Sequence, residues 1–225
     1  MTVNQTTSLS KAQYKAMRDH MIDSQLRTSD VNDLTVLAAI ARAPREDYVP
    51  DDRKSTSYMD RAIPLGEGRS LNPPLTIGRI IMGAELTQGD KVLLVGAATG
   101  YTAEILSHLV AEVVALEESP TLAAVARERL AGRSNVTVVE GPLSAGAADH
   151  GPYSVIIIDG AVEQVQPELV RQVASDGRVV AAVVDRGVTR LARGMRVGDQ
   201  LSYMPFADME AATLPGFAKP KVFSF

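Results

Sequence analysis

An α/β fold built on a doubly wound, mostly parallel sheet and preceded by a helical segment is what this sequence predicts. Three observations lead there. Apolar runs of strand length alternate with helix-compatible segments between residues 76 and 184. The first run, Val92 to Val95, ends in a turn of small residues, Gly96-Ala97-Ala98-Thr99-Gly100, and a helical stretch follows. A second run, Val113-Val114-Ala115-Leu116, ends in an acid, Glu117. Strand, small-residue turn, helix, strand and acid is the order by which such a sheet holds an adenosine-type ligand. The turn must be small because the ligand approaches the backbone, and the acid can accept from both ribose hydroxyls.

Residues 11–28 read as a helix, with Tyr14, Met17, Met21 and Leu26 as an apolar stripe among charges. Asp30 can cap a second helix, on which Val31, Leu34, Leu37 and Ile40 share a face and which Pro44 stops. Residues 45–74 read as a long polar loop, and a loop of that length inside a compact domain is usually functional or disordered. A helix over 76–85 precedes strand 91–95. Helix 101–110, strand 112–117, helix 120–131 behind the Ser119-Pro120 start pair, strand 136–139 and strand 154–158 follow. Helix 164–174 and strand 178–184 complete the alternation, so helices are expected on both faces. Residues 188–225 read as short strands with polar turns. Residues 1–75, helices and loop, are taken as part of the same domain as the core, 76–225.

Composition narrows the chemistry. The 225 residues contain no cysteine, which removes disulfides, thiolate metal sites and a cysteine nucleophile. Three scattered histidines make a metal site unexpected. A net charge of −4, no tryptophan and 4% aromatic residues argue against nucleic acid as a partner. No apolar run reaches the ~18 residues of a membrane span. The polar first eight residues lack the apolar centre of a secretion signal and read as a frayed tail, so a cytoplasmic location is expected.

Several stretches carry a resemblance that is more specific than the fold. Met21-Ile22-Asp23-Ser24-Gln25-Leu26 is similar to a Met-Val-x-x-Gln-Leu motif. Ala43-Pro44-Arg45-Glu46-Asp47-Tyr48-Val49-Pro50 is similar to Val-Pro-Arg-Glu-x-Phe-Val-Pro. Tyr58-Met59-Asp60-Arg61-Ala62-Ile63-Pro64-Leu65-Gly66 is similar to Tyr-x-Asp-x-x-Leu-Pro-Ile-Gly. Gly96 to Tyr101 matches Gly-Thr-Gly-Ser-Gly-Tyr in part, and Leu116-Glu117 matches Ile-Glu. Together, over residues 14–205, these motifs resemble the protein-L-isoaspartate O-methyltransferase family, class I enzymes of Rossmann-like fold that use S-adenosylmethionine.

Departures from the family pattern fall around the site. Leu94 stands where many such sites carry an acid, and Ala98 puts a methyl where a bare backbone is usual. Asn72, in Gly68-Arg69-Ser70-Leu71-Asn72-Pro73-Pro74, stands where the family has the serine that contacts the reacting carboxylate. Glu140-Gly141-Pro142 replaces Gly-Asp-Gly near the adenine, and Pro142 offers neither a side-chain acceptor nor a backbone donor. A weakened cofactor pocket is therefore expected.

The resemblance implies methyl transfer from S-adenosylmethionine to the carboxyl group of L-isoaspartyl or D-aspartyl residues in damaged proteins. The candidate substrate-holding groups are Asn72 and Ser70. The candidate cofactor positions are Gly96, Ala97, Ala98, Gly100, Tyr101, Glu117, Gly141 and Asp159, with no metal. Asp159, at the end of a strand, also reads as a cap for the next helix, and Arg45-Glu46 as structural support beneath the loop. Two other readings stay open: a relative with another methyl acceptor, and a weakly active one that works through protein contacts. Asn72-Pro73-Pro74-Leu75 also resembles the Asn-Pro-Pro-aromatic motif of base-methylating enzymes, but Leu75 cannot stack on a flipped base. Oligomeric state is left open.

Overall fold

A computed structural model describes residues 9–220; the polar tail expected at 1–8 lies outside the described residues. The chain enters through α1 (Lys11–Met21). Ser10 accepts from the Gln13 amide while the Gln13 side chain returns to the Ser10 amide, a reciprocal cap that satisfies two free helix donors. The helix runs on through a wider turn (Ile22–Leu26) and a tighter one (Arg27–Ser29), ending at Asp30 with φ 64°. Asp30 therefore closes this helix; the N-cap of α2 (Leu34–Arg42) is Asp33, whose carboxylate accepts from Thr35 and Val36 amides.

The stretch expected as an open loop is ordered. Short helical turns at Arg45–Tyr48 and Asp51–Thr56 lead to an antiparallel hairpin of β1 (Ile63–Gly66) and β2 (Arg69–Leu71). Gly66, Glu67 and Gly68 all take positive φ at its tip, which suits the glycines and strains Glu67. Then come α3 (Pro74–Gly83), β3 (Lys91–Val95), α4 (Tyr101–Ser107), β4 (Glu112–Glu117), α5 (Pro120–Arg129), β5 (Val136–Glu140), β6 (Tyr153–Val162), α6 (Pro167–Val170), β7 (Val173–Asp185), β8 (Val188–Val197) and β9 (Gln200–Asp208).

The seven-stranded sheet has the order β5-β4-β3-β6-β7-β8-β9. Its first five members run parallel, and β8 and β9 extend it antiparallel. Side chains alternate between two apolar clusters, as the pleat requires. Val92 and Leu94 join the larger cluster with the α1–α4 helices, while Leu93 and Val95 join a second with Leu169, Leu214 and Phe217. Leu94 is thus a core residue, and an acid there would be buried among hydrocarbon.

The second face departs from the expectation. The helix foreseen at 164–174 is only α6, because Val173 already pairs with Tyr153 and opens β7. Gly177 permits that early start: a Cβ there would lie 2.8 Å from Val173 Cγ1 and 2.9 Å from the Ser154 carbonyl oxygen. The segment following β9 covers part of this face instead, with Thr213 bridging to Ala161. No helix of the described residues is long and apolar enough to cross a membrane.

Candidate functional site

The cleft lies at the carboxyl edge of β3, β4 and β6, where parallel sheets bind ligands. After Val95 the backbone turns sharply: the Gly96 and Ala97 amides both donate to the Leu116 carbonyl at 2.9 Å. Gly96 (φ 85°) and Gly100 (φ 100°) adopt backbone conformations that favour glycine. Ala98 is held at φ 50° despite its methyl, a strained position of the kind found where a site fixes its backbone. Gly100 opens α4, and a side chain there would lie 2.9 Å from Leu130 Cδ1.

Glu117 ends β4 and is fully buried. Its Oε2 accepts from the Ala98 amide at 2.7 Å; its Oε1 accepts from the Glu118 and Ser119 amides at 3.1 Å and from Arg69 Nη1 at 2.6 Å. Arg69 comes from β2, is itself buried, and lies over the Gly96 turn. Outside this pair, Gly141, Glu140, Pro142, Glu118, Ser119 and Glu67 line a cleft of about 430 Å³ that Arg69 also borders.

Asn72 and Asp159 form a second buried pair. Asn72 Nδ2 donates to the Asp159 carboxylate at 2.7 Å and to its carbonyl at 3.1 Å, and Asn72 Oδ1 accepts from the Ala212 amide at 2.7 Å. Thr102 Oγ1 donates to the other Asp159 oxygen at 2.5 Å. Burial pushes the Asp159 carboxyl above the usual aspartate range, against the opposing pull of Thr102, Asn72, Arg69 and Arg45. Asp159 lies inside β6, at its bulge, so the cap role expected for it is corrected: α6 starts only at Pro167.

Beneath the hairpin, Arg45 is fully buried. Its Nε donates to the Ser57 carbonyl at 2.7 Å and its Nη2 to the Asn72 carbonyl at 2.6 Å, with the guanidinium 4.8 Å from the Tyr101 ring centre. Among the described residues the buried Nη1 has no hydrogen-bond partner, and burial lowers the guanidinium's pKa. Tyr101 packs between Arg45 and Tyr48, away from the open cleft, and is also buried. The structure therefore gathers Gly96, Ala97, Ala98, Gly100, Glu117, Asn72 and Asp159 at one edge, with Gly141 at the cleft's outer wall. Ser70 alternates with Arg69 and Leu71 on β2 and so presents to the opposite face of the hairpin. Arg69, Thr102 and Leu214 were not foreseen. A lone arginine in a loop of glycine, serine and proline was the available signal for the first; Thr102 and Leu214 arrive by tertiary contact alone.

Residues 16–207 match the family model for protein-L-isoaspartate(D-aspartate) O-methyltransferase. The chain belongs to that family. A protein-L-isoaspartate O-methyltransferase of Koribacter versatilis is 39% identical over 74% of this chain and 76% of its own length. One of Roseiflexus castenholzii is 37% identical over 88% and 92%. A solved protein-L-isoaspartate O-methyltransferase superposes with a TM-score of 0.75 at 21% identity, over 90% of this chain and 66% of that one. A second solved structure, a Plasmodium falciparum protein assigned to the same methyltransferase class and held with S-adenosyl-L-homocysteine, gives 0.72 at 15% identity over 89% and 97%. Both structural likenesses bear on the fold.

The family's methyl donor is S-adenosylmethionine. The residues present fit it in kind: a carboxylate at the end of β4, a turn that leaves Gly96 bare, and a polar outer cleft beside Gly141. Arg69 and Leu214 close the inner end in this arrangement.

Proposed function

We propose that this family member transfers a methyl group from S-adenosylmethionine to the free carboxylate of L-isoaspartyl or D-aspartyl residues in damaged proteins. The observation that carries this reading is the family match over residues 16–207. The hairpin 63–71 and Asn72 meet the same strand ends as Glu117 and the Gly96–Gly100 turn, which brings the two halves of such a site together. When bound, the sulfonium supplies an electrophilic methyl group. A carboxylate acceptor is already ionised at neutral pH, so little acid–base work is left to the protein. Its task is to strip water from the acceptor and align it, which holding groups alone can do. That suits a site whose buried polar side chains are Asn72, Thr102, Asp159, Arg69 and Glu117, without histidine or cysteine.

In this proposal Glu117 holds the ribose hydroxyls; Gly96, Ala97, Ala98 and Gly100 give the cofactor its backbone cradle; and Gly141 walls the adenine end. Tyr101 supports the turn from below, and Asp159 faces the reacting end. Asn72 and the backbone amides of 66–74 hold the acceptor carboxylate, Ser70 lying on the opposite face of the hairpin. A cytoplasmic location, protein or peptide substrates, and no nucleic-acid or membrane partner belong to the same reading. The test is methyl transfer to an isoaspartyl peptide against its aspartyl twin. Activity on the first alone is expected; labelling of neither, or of both equally, would overturn it.

A further inference from the structure

A carboxylate has about four lone-pair positions for donors. On Glu117 four donors from the protein are already seated: the Glu118 and Ser119 amides and Arg69 Nη1 on Oε1, and the Ala98 amide on Oε2. The three amides are fixed by the strand-end turns. Only Arg69 can leave, and it rides on a hairpin whose tip, Gly66-Glu67-Gly68, is the positive-φ segment noted above.

The same guanidinium fills space over the turn. A Cβ on Gly96 would lie 3.1 Å from Arg69 Nη2 and 3.1 and 3.2 Å from the Leu214 methyl carbons. Gly96 follows β3 and Gly160 lies near the same edge on neighbouring β6, where a Cβ would meet Leu214 Cγ at 2.5 Å and the Ala212 carbonyl at 2.7 Å. Two bare glycines thus face protein atoms where backbone is left open for a ligand. Leu214 is held there by a strap: the Ala161 amide donates to the Ala212 carbonyl at 2.7 Å, and the Leu214 amide to the Ala161 carbonyl at 3.0 Å. Asn72 ties the strap to the hairpin through the Ala212 amide.

We propose that Arg69 and Leu214 form an internal plug that holds the cofactor's place, and that the cofactor binds by exchange, its ribose hydroxyls replacing the Arg69 guanidinium on Glu117 as hairpin and strap withdraw. The plug rests on the proposed function, since it presumes that S-adenosyl compounds occupy this cleft. It makes Arg69 and Leu214 determinants of cofactor affinity, and it couples entry of the cofactor to movement of the loop that carries Asn72.

Isothermal titration with S-adenosylhomocysteine tests the affinity. Arg69→Gln and Leu214→Ala are each expected to bind it about tenfold or more tightly than the unaltered chain. Affinities within twofold of the unaltered chain, or weaker, would overturn the plug while leaving the methyltransferase reading in place. No heat from any of the three at millimolar ligand would overturn both. Hydrogen–deuterium exchange on the unaltered chain needs no variant to fold. Adding S-adenosylhomocysteine should slow exchange at 96–100 and 117–119 and speed it at 63–72 and 211–216. Slowing in all four segments would overturn the exchange mechanism.

Discussion

Asn72 holds Asp159 twice, by backbone carbonyl and by carboxylate, while its own carbonyl is held by Arg45. One side chain from the loop before α3 thereby fixes the bulge of β6, and one buried guanidinium fixes that residue in turn.

Substitution at Asn72 should separate structure from chemistry. Asn72→Leu removes the donors to Asp159 and the acceptor for Ala212, leaving buried polar groups unpaired. It is expected to cost about 2–6 kcal/mol, at 1–3 kcal/mol for each of the two stranded partners, and to abolish methylation. Asn72→Ser keeps a donor for a carboxylate but is too short to span both neighbours. Its activity should be similar or higher, with a melting temperature several degrees lower. Thermal unfolding alongside the isoaspartyl-peptide assay checks both.

Arg45→Lys should cost about 1–3 kcal/mol in urea unfolding. A single ammonium cannot reproduce the fork that reaches the Ser57 and Asn72 carbonyls together, and one of them is left bare. With the Asn72 backbone released, KM for the peptide should rise more than kcat falls. Equal stability in the two proteins would show that the guanidinium is replaceable.

Glu117→Gln is expected to unfold the chain more easily by about 3–5 kcal/mol, because it leaves the buried Arg69 charge without its carboxylate. Adding Arg69→Met should restore most of that loss, since it removes the stranded buried charge while the strand-end amides still donate to the side chain at position 117. Cofactor binding should stay weak in the double variant. Measuring all four corners of the cycle in urea separates the pair's coupling from the two single losses.

Two buried aspartates should give pH dependences of opposite sign. Burial raises the Asp159 pKa in the folded protein, so its contribution is fully present below the unfolded value near 3.9 and is lost as pH rises through the folded value. For Asp90, burial pulls upward as well, but the Thr87 amide, the Ser154 hydroxyl and the Arg178 guanidinium outweigh it and the net direction is down. Its contribution is therefore present above about 3.9 and lost as pH falls through the folded value. Asp159→Asn should flatten the stability curve above pH ~4, and Asp90→Asn should flatten it below. Urea midpoints taken across the acid range read both; parallel curves for the two variants would contradict the assignment.

The parallel core was legible because β3 and β4 are apolar runs bounded by glycine and acid, signals carried within a few residues. The expected alternation of helix and strand misled at 164–174. Val165, Leu169, Val170 and Val173 suit a helical face, yet Val173 belongs to a strand that pairs with Tyr153, a choice made by the sheet. The cap at Asp30 failed for a similar reason: Asp33 stands three residues on, and the left-handed backbone of Asp30 serves the helix before it. At the site, Glu117 and the glycines follow from strand-end logic. Arg69 and Leu214 do not, because neither local spacing nor composition says that segments 48 and 118 residues from their contacts at Glu117 and Gly96 will close on one turn.

The Asn72–Ala212 bond spans 140 positions, and that span sets an order on biogenesis. A chain leaving the ribosome can pair β3, β4, β5 and β6 while its later residues are still being added. Asn72 then has Asp159 as a partner but no donor for its own amide oxygen. The donor arrives only with residue 212, and the Leu214 side chain two residues later. Contacts so distant in sequence form late, since long loops must close before they are rewarded. The parallel core can therefore assemble with the cleft still open, and the distant Asn72–Ala212 contact shuts it afterwards.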